Sequence, residues 1–181
     1  MDINSIAVSG RSPVAIACPY ISIDGDALRL RLVDSTDRAF LQRVYAQSRA
    51  DEMAKVSHWS DVQKAEFLRF QFDAQDAHYR AHYPDAEFWV VQWHKQDIGR
   101  LYLHHSEDDI RVMDIALLSP LRGQGFGSQL MQWILSMAER QNKSVSLHVE
   151  PENPAKRLYL SLGFEVCGEI SFYQRMCWLP N

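Results

Sequence analysis

The segment from Ile110 to Val149 narrows the choice of folds more than any other part of the chain. Ile110 to Leu118 is apolar and β-branched, Arg122-Gly123-Gln124-Gly125-Phe126-Gly127-Ser128 follows, Phe126, Leu130, Ile134 and Met137 recur at helical spacing, and Val145, Leu147 and Val149 alternate. This is strand, glycine turn, helix, strand, and two neighbouring strands joined through a helix must lie parallel. The chain before it runs otherwise. Phe88 to Trp93 and Ile98 to His104, separated by Lys95-Gln96-Asp97, read as an antiparallel hairpin, which Ile110 to Leu118 extends beyond the acidic turn Glu107-Asp108-Asp109. One parallel pair inside a largely antiparallel sheet is therefore expected.

The remaining elements fit around that unit. Leu28, Leu30 and Leu32 alternate with Arg29 and Arg31, as in a half-buried strand. Thr36 can cap a helix with Leu41, Val44, Tyr45 and Ser48 on one face, ending before Ser57. Ser60 and Gln63 have capping-box spacing, opening a helix whose face reads Phe67, Phe70, Ala74, Ala77 and Ala81 until Pro84 stops it; Phe67, Phe70 and Phe72 read as core. Asn153 as N-cap, Pro154 at the first helical position and Gly163 past the end bracket a short helix with Ala155, Leu158, Tyr159 and Leu162 on one face. Phe164 to Trp178, aromatic and β-branched, supplies one or two closing strands, an edge over which a homodimer could form.

Composition excludes several classes of function. With 181 residues, 46% hydrophobic and 23% charged, the chain suits one domain with a buried core. A net charge of −4 offers no broad basic field, so nucleic acid is not an expected partner. No apolar run approaches the ~20 residues needed to span a bilayer, so no membrane is expected either. The first residues lack the basic region of a signal peptide. Cys18, Cys167 and Cys177 form no CxxC pair and leave one thiol over in any pairing, which suggests small core residues in a reducing cytoplasm. His78 and His82 have metal-ligand spacing, but Tyr79 stands where a metalloprotease needs glutamate, and no metal is expected.

The glycine turn carries the chemistry. Residues without Cβ atoms let the backbone close on a phosphate, and the unpaired N–H groups of the helix start stabilise its charge, with Arg122 as a further forked donor. A Walker A loop is missing its Gly-Lys-Ser/Thr. A dinucleotide fingerprint would read Gly123-x-Gly125-x-x-Ser128 with Glu150 as the ribose acid, leaving a nicotinamide-nucleotide oxidoreductase as an alternative; its third glycine is missing, and too little chain follows for a second nucleotide-binding half.

The turn resembles motif A of the GNAT superfamily of N-acetyltransferases, whose Arg/Gln-x-x-Gly-x-Gly/Ala pattern is met by Arg122, Gly125 and Gly127. Asp114-Ile-Ala-Leu-Leu-Ser-Pro-Leu121 resembles that family's fourth strand, and Asn153-Pro-Ala-Lys-Arg-Leu-Tyr-Leu-Ser-Leu-Gly-Phe164 is similar to its Asn...Leu-Tyr...Gly-Phe helix. The resemblance implies an α/β fold with a mixed, mostly antiparallel sheet of six or seven strands and about four helices over residues 26–181, residues 1–25 being a tail or an added edge strand.

It also implies an acetyl-CoA-dependent enzyme acetylating a primary amine on a small molecule or peptide by direct attack on the thioester; a non-catalytic acyl-CoA-binding module is the other reading. By the resemblance, Gly123, Gln124, Gly125, Phe126, Gly127 and Ser128, with Arg122, hold the pyrophosphate. Ile115, Ala116 and Leu117 pair with the pantetheine arm, and Asn153 stands near it. Tyr159 is the expected acid for the departing thiolate. The base is to be found among Asp114, His148 and Glu150; Ser146, His148 and Glu150 share the strand face opposite Val145, Leu147 and Val149. Acceptor choice would lie around Val56-Ser57-His58-Trp59.

Overall fold

A computed structural model describes residues 20–23 and 26–180. One eight-stranded sheet runs in the order β1 (Tyr20–Ile23), β2 (Asp26–Leu32), β3 (Glu87–Trp93), β4 (Gln96–His105), β5 (Asp109–Leu117), β6 (Ser144–Val149), β8 (Tyr173–Trp178), β7 (Glu165–Ile170). Only β5 and β6 are parallel; every other neighbouring pair is antiparallel. The sheet thus has eight strands, seven from residue 26 onward and the short edge strand β1; the other residues of the expected 1–25 segment lie outside the described ones, Cys18 among them.

Helices α1 (Arg38–Ser48), α2 (Ala50–Lys55) and α3 (Asp61–His82) lie between β2 and β3, α4 (Phe126–Gln141) between β5 and β6, and α5 (Ala155–Ser161) before β7. There are five rather than about four because Arg49, between α1 and α2, leaves helical geometry (φ −105°, ψ 12°) and splits the expected first helix. Thr36 is not its cap. Thr36 bonds Asp34, while Asp37 occupies the cap position and turns its carboxylate onto Arg31. On α3 the capping box forms as expected, Gln63 N–H to Ser60 Oγ and Ser60 N–H to Gln63 Oε1.

One face of the sheet packs α4 and α5 through a continuous apolar core that includes Leu28, Leu30, Leu101, Leu103, Leu130 and Ile134. The other receives α1 and α3 through a smaller cluster of Leu41, Tyr45, Phe72 and Val90. There the sequence pattern misleads. Phe72 is buried, but Phe70 is 69% exposed and Phe67 packs edge-on against Trp59 at the rim instead of entering the core. The pattern fails because this sheet face is itself polar, so α3 meets it with Gln75 and Tyr79 as well as Phe72. Leu32, at the end of β2, is likewise exposed.

The cysteines also depart from expectation. Cys167 and Cys177 form a disulfide (Cα–Cα 5.9 Å), with Cys167 exposed and Cys177 half-buried. Cys167 falls at an irregularity in the β7–β8 ladder, where Val166 pairs with Met176 but Gly168 with Arg175. The extra residue removes Cys167 from simple alternation and turns it towards Cys177. The cysteines therefore give no argument for a reducing compartment. Among the described residues no helix is long and apolar enough to cross a membrane.

Candidate active site

The cleft originates in a single extra residue. β5 pairs with β6 from Asp109↔Ser144 to Val112↔Leu147 and no further. On its other edge β5 skips a residue, Leu103 facing Val112 but Tyr102 facing Asp114, so Met113 is bulged. A bulge bends its strand, and Tyr79 Oη holds this one by donating to Met113 C=O at 3.2 Å. β5 and β6 consequently part beyond Val112 and open a cleft of about 520 Å³ between residues 113–116 and His148 to Glu150.

Strand alternation fixes which main-chain groups face that opening. Leu118 N–H bonds Ile98 C=O across the ladder, so Ala116 and Asp114 also point to β4 while Ile115 and Leu117 point into the gap. Leu117 C=O accepts from Arg122 Nε at 3.0 Å, which leaves Leu117 N–H and both groups of Ile115 open along the cleft. Gly99 lets β4 lie against this segment; a Cβ there would collide with Ala116 C=O.

The glycine turn closes the upper end. A 3₁₀ turn at Ser119–Leu121 leads into it. Arg122 pins it by donating to Leu117 C=O and, at 3.1 Å, to Gln47 C=O; Gln47 Oε1 accepts from Ser119 N–H, and Gln124 Nε2 donates to Pro120 C=O. Gly123 and Gly125 have φ of +74° and +88°, and a Cβ at either would meet nothing within 4 Å. Glycine is needed there for the left-handed backbone rather than for packing, and the approach to the turn is open. Gly125 is the N-cap of α4 and no side chain caps the helix, so the first-turn amides of Phe126, Gly127 and Ser128 face outward with the positive end of a sixteen-residue helix behind them. The Phe126 ring itself is core, packed on Trp93.

Tyr159 is set by the end of α5. Gly163 N–H bonds Leu160 C=O and Phe164 N–H bonds Tyr159 C=O, a Schellman pair, and the Phe164 ring packs on Tyr159 at 5.8 Å. Asn153 Oδ1 accepts from Ala155 N–H at 2.9 Å, so its side chain serves the helix start. Tyr159 is buried and lines the cleft, and no side chain among the described residues bonds its hydroxyl. Burial, reinforced by Asp114, pushes its pKa up to about 12.

The three carboxyl and imidazole candidates meet in the cleft but are differently engaged. Both oxygens of Asp114 accept from Arg100, at 3.2 and 2.7 Å, and Arg100 is 1% exposed beneath the rings of Tyr45, Phe72 and Tyr102. His148 Nδ1 lies 3.1 Å from Arg111 Nη2. A guanidinium can only donate, so Nδ1 accepts and the ring proton sits on Nε2. Burial, followed by the charges of Arg111 and Arg175, holds His148 below the ordinary histidine pKa. Glu150, at the mouth, has only a 3.5 Å contact to Arg49, whose stronger partner is Glu52 at 2.6 Å. Val56 to Trp59 do not line this cleft; Arg49 and Ser48, at the α1–α2 junction, do.

Arg49, Arg100, Arg111, Tyr79 and Tyr83 also line the cleft, and the sequence reading passes over them. Period-two alternation along β4 places Arg100 with Tyr102 and His104, opposite Leu101 and Leu103, and this was the available signal. His78 and His82 stack at 4.2 Å, and no group of three metal-ligating side chains exists among the described residues.

Residues 84–166, from just before β3 into β7, match the family described as the acetyltransferase (GNAT) domain. The matched segment is a little under half of the chain. Within it lie the bulged strand, the glycine turn and Tyr159. An N-acetyltransferase of Bacillus subtilis strain 168, YycN, itself uncharacterised, is 29% identical over 89 residues, which is 45% of this chain and 57% of that protein. The match thus spans little more than half the length of that relative. The same fold occurs in the PaiA N-acetyltransferase of Thermoplasma acidophilum, solved with coenzyme A (TM-score 0.64, 16% identity, 84% of this chain and 98% of that one). It occurs also in the spermidine N-acetyltransferase of Vibrio cholerae, solved with CoA and spermine (TM-score 0.58, 23% identity, 84% and 95%). These likenesses cover 84% of this chain and show the fold, in which β5 and β6 are the parallel pair.

Proposed function

We propose that the protein is an acetyl-CoA-dependent N-acetyltransferase that acetylates a primary amine by direct attack on the thioester. The carrying observation is the parting of β5 from β6 beneath an uncapped, glycine-led helix start. Open groups on Ile115 and Leu117 suit an extended pantetheine arm, and the amides of residues 123–128 suit a pyrophosphate. Bound acetyl-CoA supplies the activated acetyl group. Arg122 acts here by holding the turn rigid. A nucleotide oxidoreductase is less well supported, since one parallel strand pair provides no second nucleotide-binding half. The solved CoA complexes of similar folds favour the same reading.

Tyr159 is the proton donor to the departing thiolate: with a pKa near 12 it keeps its proton at any working pH. Asp114 and His148 already spend their accepting atoms on Arg100 and Arg111, which leaves Glu150, directly or through a water, to take the proton from the amine. A reducing, cytoplasmic setting suits a CoA enzyme, although the exposed disulfide does not argue for it. Thiol release from acetyl-CoA in the presence of an amine panel tests the reading. We expect amine-dependent release that falls about 100-fold or more in Tyr159→Phe; tight CoA binding with no release under any amine would instead favour a binding module.

A further inference from the structure

Among the described residues, the guanidiniums lining the cleft are not equally compensated. Arg49 has Glu52 and Glu150, and Arg100 has Asp114. Arg111 has no carboxylate. Its Nη1 donates to Tyr83 Oη at 2.9 Å and its Nη2 to the neutral His148 ring at 3.1 Å. The nearest acid on its own strand face, Asp109, has both oxygens taken by the hydroxyls of Ser144 and Ser146, each at 2.6 Å. Arg175, across from His148, adds positive charge to the same floor. Arg111 thus lies over the Tyr83 ring at 5.4 Å and is held by two neutral groups, so a carboxylate reaching it would make its first direct ion pair.

Arg111 stands at the vertex of the cleft, where the β5–β6 pairing ends. It is six residues from Leu117 along β5, roughly 20 Å at strand rise, with the glycine turn beyond Leu117, too far to serve a pyrophosphate seated there. Tyr83 Oη, having accepted from Arg111, still has its own hydrogen to give. The floor therefore offers a forked guanidinium and a hydroxyl, all donors, to something negatively charged. A polyamine would bring a further cation against Arg111. A cleft of about 520 Å³ must also admit the acetyl end of the cofactor, which leaves room for a small acceptor.

We infer that the acceptor is a small amine bearing its own carboxylate, an amino acid, whose carboxylate is held by Arg111 and Tyr83 while its amine faces Glu150 and the thioester. This rests on the acetyltransferase reading above, and the test separates the two. The twenty common amino acids, their carboxamides, their decarboxylated amines and spermidine are compared by thiol release, and in parallel titrated against protein free of acetyl-CoA while the His148 imidazole signals are followed by NMR. We expect at least one free acid to exceed its own amide by about tenfold or more in kcat/KM, the usual worth of a charge-assisted pair. Arg111→Leu should raise the KM for that acid to that of its amide. The same acid, and not its amide, should move the His148 signals, and Arg111→Lys, which keeps charge but loses the fork, should fall between. Turnover of amides, decarboxylated amines or spermidine as good as that of the acids would overturn the inference, as would acids that leave His148 unmoved. Acids that move His148 in a protein that does not bind acetyl-CoA would uphold the carboxylate site and overturn acetyl transfer.

Discussion

The two faces of the sheet are built on different principles. Towards α4 and α5 the contacts are aliphatic and continuous, and the groups placed there, the glycine turn and Tyr159, owe their positions to packing and helix-end geometry. Towards α1 and α3 the sheet presents Arg100, Tyr102, Arg111, Ser146 and His148, and order depends on bidentate pairs and arginine–ring contacts. A similar device recurs at its far edge, where Arg31 reaches Asp37 and Asp97 at 2.7 and 2.8 Å. On the function proposed above, the difference divides the labour: the apolar face would fix the cofactor and the polar face would meet the acceptor.

This contrast can be broken by mutation. The largest effect is expected for Asp114→Ala, which strands the buried Arg100 cation and should cost about 3–5 kcal/mol in urea unfolding. Replacing both partners, Arg100→Met with Asp114→Leu, should recover most of that; if the double variant is as unstable as the single one, the pair is not what orders this face. On the other side Leu130→Ala should cost about 2–5 kcal/mol with no partner change able to rescue it. Tyr159→Phe should reduce kcat by about 100-fold at unchanged acetyl-CoA affinity, and a parallel loss of affinity would show that the residue is packing rather than acid.

The smallest effect concerns pH. His148 has a folded pKa below its unfolded value of about 6.5, so the folded state binds fewer protons and this residue's stabilising contribution, complete above that value, is lost as pH falls through the folded pKa. His148→Gln should flatten the acid limb of a thermal-stability profile below pH about 6.5, while an unchanged slope would place the lost proton elsewhere.

The same division decided what could be read from the sequence. Leu28, Leu30, Leu130, Ile134, Val145 and Leu147 announce their face by period, and Ser60-Gln63, Asn153 and Gly163 mark helix ends through chemistry that acts over three or four residues. The turn at 122–128 and the place of Tyr159 on α5 were legible for that reason, while the roles expected of them came from the family resemblance. The polar face was not, because no period marks an arginine whose partner lies on another strand or helix. Arg100 and Asp114 are fourteen residues apart, Arg111 and His148 thirty-seven. The bulge at Met113, on which the cleft depends, and the one at Cys167, which permits the disulfide, are register events between strands. No local pattern announces them.

We propose that the opening between β5 and β6 below the glycine turn is a coenzyme A site. Calorimetric titration of the wild-type protein and of Gly125→Val with acetyl-CoA, CoA, NADH and NADPH tests it most directly. Saturable binding of the two CoA compounds alone, abolished in Gly125→Val while the variant unfolds at a similar temperature, is the result expected. Binding of a nicotinamide nucleotide instead, or CoA binding that Gly125→Val leaves untouched, would contradict it.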